Sequence, residues 1–212
     1  KALGLDPRAQ RDALMQDVSF IADVAILPRW IKVHELIKFM EGVHPKFDRI
    51  KAERYIANTK IQSHMRVKEL SKGMVVQLHL ALIMAVNAKL LILDEPTLGL
   101  DILYRKQFYR SLLEDYFDAD KTIIITTHQI EEIEHVVSDL IFINGGRIVL
   151  QESMDSMATR FIEVDVSAEH LPAAQALQPI DQRNVLGKTI LLFDGVPTET
   201  LAPLGKIRIP AL

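Results

Sequence analysis

The period of apolar and polar positions changes twice along the chain. Lys1 to Asp17 is polar and carries Gly4 and Pro7. The run Val18 to Ile21 predicts a short strand, followed by a loop from Ala22 to Arg29 closed by Pro28. Ile31, Val33, Leu36, Ile37, Phe39 and Met40 recur at helical spacing, and Gly42 and Pro45 are expected to stop that helix. Phe47 to Ile56 predicts a second amphipathic helix and Leu70 to Val86 a third, more apolar one. The pattern then switches. Lys89 to Leu93 reads as a buried strand, Asp101 to Tyr116 as a helix, and the isoleucine- and threonine-rich run Lys121 to Thr127 as a strand. Gln129 to Val137 is expected to be helical, with Glu131 and Glu132 in its first turn, where carboxylates suit the helix dipole. Leu140 to Ile143 and Arg147 to Leu150 predict a hairpin around Asn144-Gly145-Gly146. Strand–helix–strand alternation of this kind implies an α/β fold with a parallel sheet.

From Phe161 the composition shifts. Five of the nine prolines fall between Pro172 and Pro210, and the apolar runs at Phe161–Val166, Ile190–Phe193 and Lys206–Ile209 are short, which predicts a small β-rich appendage. The expected domains are therefore 1–160, with a helical block over about 28–86, and 161–212.

The whole-chain composition removes several classes. With 49% apolar and 25% charged residues, the chain is not disordered, collagenous or a coiled coil as a whole. A net charge of −3 provides no global basic field for a nucleic-acid partner. The lack of cysteine excludes disulfide scaffolds, thiolate metal sites and cysteine nucleophiles. The longest apolar run, Leu80 to Val86 beside His79, is far short of the roughly 20 residues that cross a bilayer.

Three segments carry candidate chemistry. In Leu90-Leu91-Ile92-Leu93-Asp94-Glu95-Pro96-Thr97, a strand buried on both faces ends in two adjacent carboxylates. Open α/β sheets place ligands at that end of their strands, and adjacent carboxylates call for a neutralising partner. Nucleotide hydrolysis uses both: Asp94 to hold Mg²⁺ and Glu95 to polarise the attacking water. Pro96 is expected to keep Glu95 extended and so to help orient it. The plain alternative is an acidic turn after a core strand. In Leu70-Ser71-Lys72-Gly73-Met74, Ser71 is a natural helix cap and Gly73 lets a ligand approach the backbone. Such a helix start is an anion site or simply a capped helix. His128, just past Thr126-Thr127, falls at the same sheet edge as Asp94 and Glu95 if the two strands are neighbours. There it reaches a phosphate oxygen, or else caps the next helix.

In this order and spacing, the three segments resemble the ATP-binding-cassette (ABC) ATPase family. Leu70 to Met74 is similar to its signature motif and Leu90 to Glu95 to its Walker B strand. Leu98-Gly99-Leu100-Asp101 is similar to the D-loop, His128 to the switch histidine, and Asp139 to Leu150 to the closing hairpin. The segment around Phe20-Ile21-Ala22-Asp23 falls where the family has its Q-loop. The resemblance covers about 1–160 and is nearest to cassettes of bacterial exporters whose ATPase is a separate subunit. It implies a P-loop NTPase-like parallel sheet with a helical subdomain, and ATP and Mg²⁺ as cofactors. It also implies two cassettes pairing head to tail around two ATP molecules, docked on an integral membrane permease at the cytoplasmic face, with no nucleic-acid partner. Asp94, Glu95 and His128 would serve from one subunit, with Ser71, Lys72 and Gly73 coming from the other. Asp101 would couple the two sites, and Trp30, Phe39 and Phe47 would lie in the docking block.

The chain departs from the family's pattern in several places. Lys72 and Met74 replace the usual glycine and glutamine, Asp23 takes the place of the Q-loop glutamine, and Leu98 replaces a small residue. No G-x-x-x-x-G-K-[ST] occurs, because Gly187-Lys188-Thr189 has Gln182 in place of the first glycine and runs into a strand. In the family the P-loop precedes the point where this chain begins. The expectation is therefore a chain without that segment and inert towards ATP alone. Two other readings compete: a soluble ABC ATPase of the DNA-maintenance kind, which would need a coiled-coil insertion absent here, and a non-catalytic interaction module.

Overall fold

The computed structural model describes residues 1–22 and 27–210, and the chain divides into two compact units, 1–128 and 129–212. The domain border expected near 160 falls inside the second unit.

The first unit is built on a three-stranded parallel sheet of order β1 (Val18–Ile21), β2 (Leu90–Asp94) and β3 (Thr122–Thr126). The central strand pairs on both sides, Val18 to Ile21 against Leu90 to Leu93 and Leu90 to Asp94 against Thr122 to Thr126. Leu91 and Leu93 are fully buried, as a continuous apolar run in a parallel sheet requires. A short helix, α1 (Arg11–Met15), lies in the stretch read as merely polar, with Leu14 its one buried side chain.

Between β1 and β2 run α2 (Val33–Val43), α3 (Arg49–Ala57) and α4 (Lys72–Met84). Their starts are locally encoded. The Glu35 carboxylate accepts from the Lys32 amide at 2.9 Å, Asp48 accepts from the Lys51 amide at 2.9 Å, and Ser71 accepts from the Met74 amide at 3.2 Å. Gly42 does not stop α2. The helix runs to Val43, and His44 is extended because the residue before Pro45 is pushed out of the helical region. From Leu78 to Val86, α4 and its C-terminal extension are buried apart from the half-buried His79, as in a core helix without a polar face.

α5 (Ile102–Ser111) follows β2 and widens into a π turn over Leu112–Tyr116, where the Phe117 amide donates to Leu112 O at 2.9 Å. This turn buries Leu112 and Tyr116 completely, and the Tyr116 hydroxyl donates to Ala88 O at 3.3 Å.

The second unit opens on a 3-10 turn, Ile130–Glu132, where a helix over 129–137 was expected. Ile130, Ile133, Val136 and Val137 are β-branched and stiff in a helix, and only Ile133 is buried, so packing does not compensate. β4 (Asp139–Asn144) and β5 (Arg147–Ser153) form the expected hairpin. Gly145 and Gly146 both take positive φ, as the two-residue turn demands. α6 (Met154–Arg160) leads into β6 (Phe161–Val166), α7 (Leu171–Ala176), β7 (Asp181–Val185), β8 (Lys188–Asp194), α8 (Thr198–Leu201) and β9 (Gly205–Arg208).

The appendage is thus more than β-rich. Its element order is βαββαβ and its antiparallel sheet runs β7-β8-β6-β9, the interleaved arrangement of two split βαβ halves. Ile162, Val164, Val166, Leu191 and Phe193 form its core with Ala174 and Leu201 from the helices. β9 lies against β6 only because residue 205 is glycine, since a Cβ there would run into the Asp165 carbonyl. Gly187-Lys188-Thr189 is confirmed as no phosphate loop, for Gly187 sits in the β7–β8 turn and Lys188 opens β8.

Arg160 ties α6 to this sheet. Its guanidinium grips both Asp194 oxygens, at 2.5 and 2.9 Å, and reaches Glu152 at 2.7 Å. The Arg160 bond holds the Asp194 carboxyl below its usual range, and Ser156 together with Arg160 does the same for Glu152. Carboxylates with depressed folded-state pKa values stabilise above their unfolded values, near pH 4, and lose that contribution as pH falls through the lower folded ones. The thermal midpoint of the second unit's transition should therefore exceed that of Arg160→Ala at pH 7, with the gap closing as pH is lowered from about 4 to 2. A gap constant across that range in pH-resolved melting curves would refute the assignment.

Candidate functional site

The site forms where β2 and β3 end together. Asp94 stands directly opposite Thr126, whose hydroxyl donates to Asp94 Oδ1. The ladder continues for one more bond, from the Glu95 amide to Thr126 O at 3.0 Å. The chain then turns, with the Leu98 amide donating to Glu95 O at 3.2 Å.

Glu95 corrects one expectation. It is not extended but left-handed, with φ of 45°, despite the proline that follows. Pro96 disfavours the right-handed helical region for its predecessor, and the hydrogen bonds around Glu95 outweigh the remaining strain. The His128 amide donates to Glu95 Oε1 at 3.0 Å, His128 Nδ1 lies 2.7 Å from the same oxygen, and the Thr127 hydroxyl donates to Oε2 at 3.3 Å. A non-glycine residue held at positive φ costs on the order of 1–3 kcal/mol and persists where its surroundings over-determine it.

The loop beyond is pinned as well. Thr97 is buried with its hydroxyl 3.3 Å from the Tyr109 hydroxyl, and the Leu100 amide donates to Thr97 O at 3.0 Å. Gly99 has φ of 83°, and Arg105 Nε donates to Leu100 O at 2.9 Å. Asp101 caps α5 by accepting from the Tyr104 amide at 2.9 Å. A Cβ on Gly73 would stand 3.6 Å from Gly99 O, so the first turn of α4 runs beside this loop.

Asp94, Glu95 and His128, read separately in the sequence, are thus gathered at one sheet edge. Ser71, Lys72 and Asp101 lie at helix starts, and among the described residues no hydrogen bond or ion pair joins them to that trio. Asp23 lies outside the described residues. Thr126 and Thr127 were not singled out in the sequence, although pairing the two apolar strands in register would have placed Thr126 beside Asp94. His79 on α4 also lines a small cavity against Glu95.

The donors at the tip are hard oxygens, a carboxylate and a threonine hydroxyl. They suit Mg²⁺ as it is usually held, by one or two carboxylates completed by phosphate oxygens and waters. Among the described residues no cluster of three or more ligating side chains forms a self-sufficient metal cage. Among the same residues no helix is long and apolar enough to cross a membrane.

A family profile described as "AAA domain, putative AbiEii toxin, Type IV TA system" matches residues 30–134, from the approach to α2 through the turn after β3. The chain is 27% identical over 133 residues to the ABC transporter ATP-binding protein YtrB of Bacillus subtilis (strain 168), a match covering 63% of this chain and 46% of that protein. It is 29% identical over 200 residues to the Nod factor export ATP-binding protein I of Cupriavidus pinatubonensis (strain JMP 134 / LMG 1197), covering 92% of this chain and 59% of that one. The chain therefore spans about half the length of the curated relatives it matches. The solved "Structure of ATP binding subunit of ABC transporter" superposes with a TM-score of 0.64 at 18% identity, over 73% of this chain and 66% of the other, a likeness of fold. Homologous sequences and a shared fold agree: the chain's homologues are ABC transporter ATP-binding proteins, and its structural neighbours are ABC ATPase subunits.

Proposed function

We propose that this chain is part of the ATP-hydrolysing subunit of an ABC transporter. The observation that carries this reading is the convergence of the Thr127 hydroxyl, the His128 amide and the His128 ring on the Glu95 carboxylate, one residue beyond Asp94. Glu95 then acts as the base that orients and polarises the attacking water, while His128 holds Glu95 and faces the terminal phosphate. Asp94, steadied by Thr126, is the protein ligand for Mg²⁺. Bound there with nucleotide, Mg²⁺ supplies charge neutralisation between the phosphates. Catalysis is positioning around an in-line displacement, with little covalent work for the protein.

In the same reading, a second ATPase subunit supplies Ser71, Lys72 and Gly73 at the free amides of its α4 start. Asp101 couples the two sites, Asp23 in the place of the Q-loop glutamine meets Mg²⁺ or its water, and closure on ATP drives a membrane permease from the cytoplasmic face. Residues 1–160 form the ATPase domain and 161–212 an accessory domain. Export is the direction we favour, supported by the long match to a protein named for Nod factor export.

The test is light scattering on the full natural chain. Mg-ATP should convert monomer to dimer, and Ser71→Arg, which puts a long cation at the start of α4, should abolish the dimer while the monomer stays folded, its melting temperature lowered only by the lost cap. A wild-type protein that stays monomeric at saturating Mg-ATP would sink the reading.

A further inference from the structure

The reading above leaves one histidine of α4 without a task. His79 follows Val76 by three residues and precedes Leu80, so helical spacing sets all three on one side of α4. That side closes a cavity of about 20 Å³ whose other walls include Ile21, Glu95 and Leu98. Among the described residues that line it, only His79 and Glu95 carry side chains able to hydrogen-bond. The Nδ1 atom of His79 is buried without a hydrogen-bond partner. Burial also pulls the ring's pKa below its ordinary value, so the imidazole is neutral at pH 7, with one donor and one acceptor nitrogen. Buried polar atoms are rarely left unpaired, and a cavity of this size with two polar side chains in its wall has room for one water.

We propose that His79 is a positioning residue for Glu95, the imidazole and the carboxylate sharing one water in the cavity between α4 and the end of β2. This inference rests on Glu95 being the catalytic carboxylate. It gives the helix that begins at Ser71 and Gly73 a water-mediated hold on the group that orients the attacking water. His128 and Thr127 fix Glu95 from β3, and His79 fixes it from α4.

Two readouts test this on the full natural chain. In steady-state ATP hydrolysis, His79→Ala should lower kcat about tenfold, the scale of lost second-layer support. Its KM should stay within about twofold of wild type. His79→Asn, whose amide reaches the Nδ1 position, should restore most of the rate. Wild-type turnover in His79→Ala, or equal losses in both variants that follow a lowered melting temperature, overturns the proposal. The second readout needs no nucleotide. In imidazole nitrogen NMR, Glu95→Gln should displace the His79 resonances, and unmoved resonances overturn the water link. If Glu95→Gln hydrolyses ATP at the wild-type rate while the His79 resonances move, the catalytic reading fails and the link survives.

Discussion

Replacing Glu95 by glutamine should reduce ATP turnover by about 10²–10⁴-fold while leaving nucleotide binding intact. The substitution is close to isosteric. The amide oxygen still accepts from the His128 amide, now at 3.0 Å from Oε1, and the left-handed backbone is unchanged in its demands. What is lost is the capacity to take a proton from water, worth about 3–5 kcal/mol of barrier on that scale. The expected result is a stable ATP-bound dimer that hydrolyses at a small fraction of the wild-type rate. Adding His128→Ala should slow the reaction little further, because the two side chains work as one unit and their losses do not add. Single-turnover hydrolysis in the full natural chain decides the matter. Turnover within twofold of wild type in Glu95→Gln would remove Glu95 from the chemistry.

The second large effect belongs to the core. Leu93 is fully buried in the middle strand, between Ile21 of β1 and Ile125 of β3. Leu93→Ala should cost about 2–5 kcal/mol, the lost transfer free energy plus the cavity left behind. With a urea dependence of about 2 kcal/mol per M, the unfolding midpoint of the first unit should fall by roughly 1–2.5 M. Ile124, in the neighbouring strand but about half exposed, makes a built-in comparison. Ile124→Ala should shift the midpoint by well under half as much. Equal shifts would mean that the buried seam of β2 is not where this unit's stability resides.

What could be read from the sequence follows from which signals are local. Leu90 to Leu93 is an unbroken apolar run and 122–126 is isoleucine flanked by threonine, so their strand character is written in the residues themselves, although only the first is buried. Once the strands pair in parallel, Asp94, Glu95 and His128 must fall at one edge. Ser71, Asp48 and Asp101 announce helix starts by the same local logic. β7 is the opposite case. Asp-Gln-Arg-Asn-Val has no buried face, all five residues being exposed, and the segment is a strand only because β8 offers it a ladder. The stretch after His128 misled because acidic residues in a first turn suggest a helix, while its β-branched residues and lone buried Ile133 decide against one. Glu95 was misread for a related reason. Pro96 speaks only to its neighbour's backbone preference, whereas the conformation is set by the Thr126 carbonyl, which accepts from the Glu95 amide, and by donors from Thr127 and His128. His79 sits in an apolar run as a single polar letter, and its place beside Glu95 depends on a fold that no short window contains.

The interleaved order of the C-terminal sheet bears on how safely the chain can be made and cut. β6 is an inner strand only because β9, the last to be synthesised, covers one side of it. A ribosome that has released everything up to Asp194 has produced β6, β7 and β8 but leaves the amides and carbonyls of Glu163 to Val166 open along one edge. That edge belongs to a strand rich in valine and isoleucine, the kind that recruits strands from other chains. The finished sheet has no such opening. Its outer strands are short and carry Asp181 and Arg183 at one side and Lys206 and Arg208 at the other, charges that resist edge-to-edge addition. The closing strand therefore works as a guard against self-association, and a nick between α8 and β9 would turn a closed sheet into a seed for aggregation.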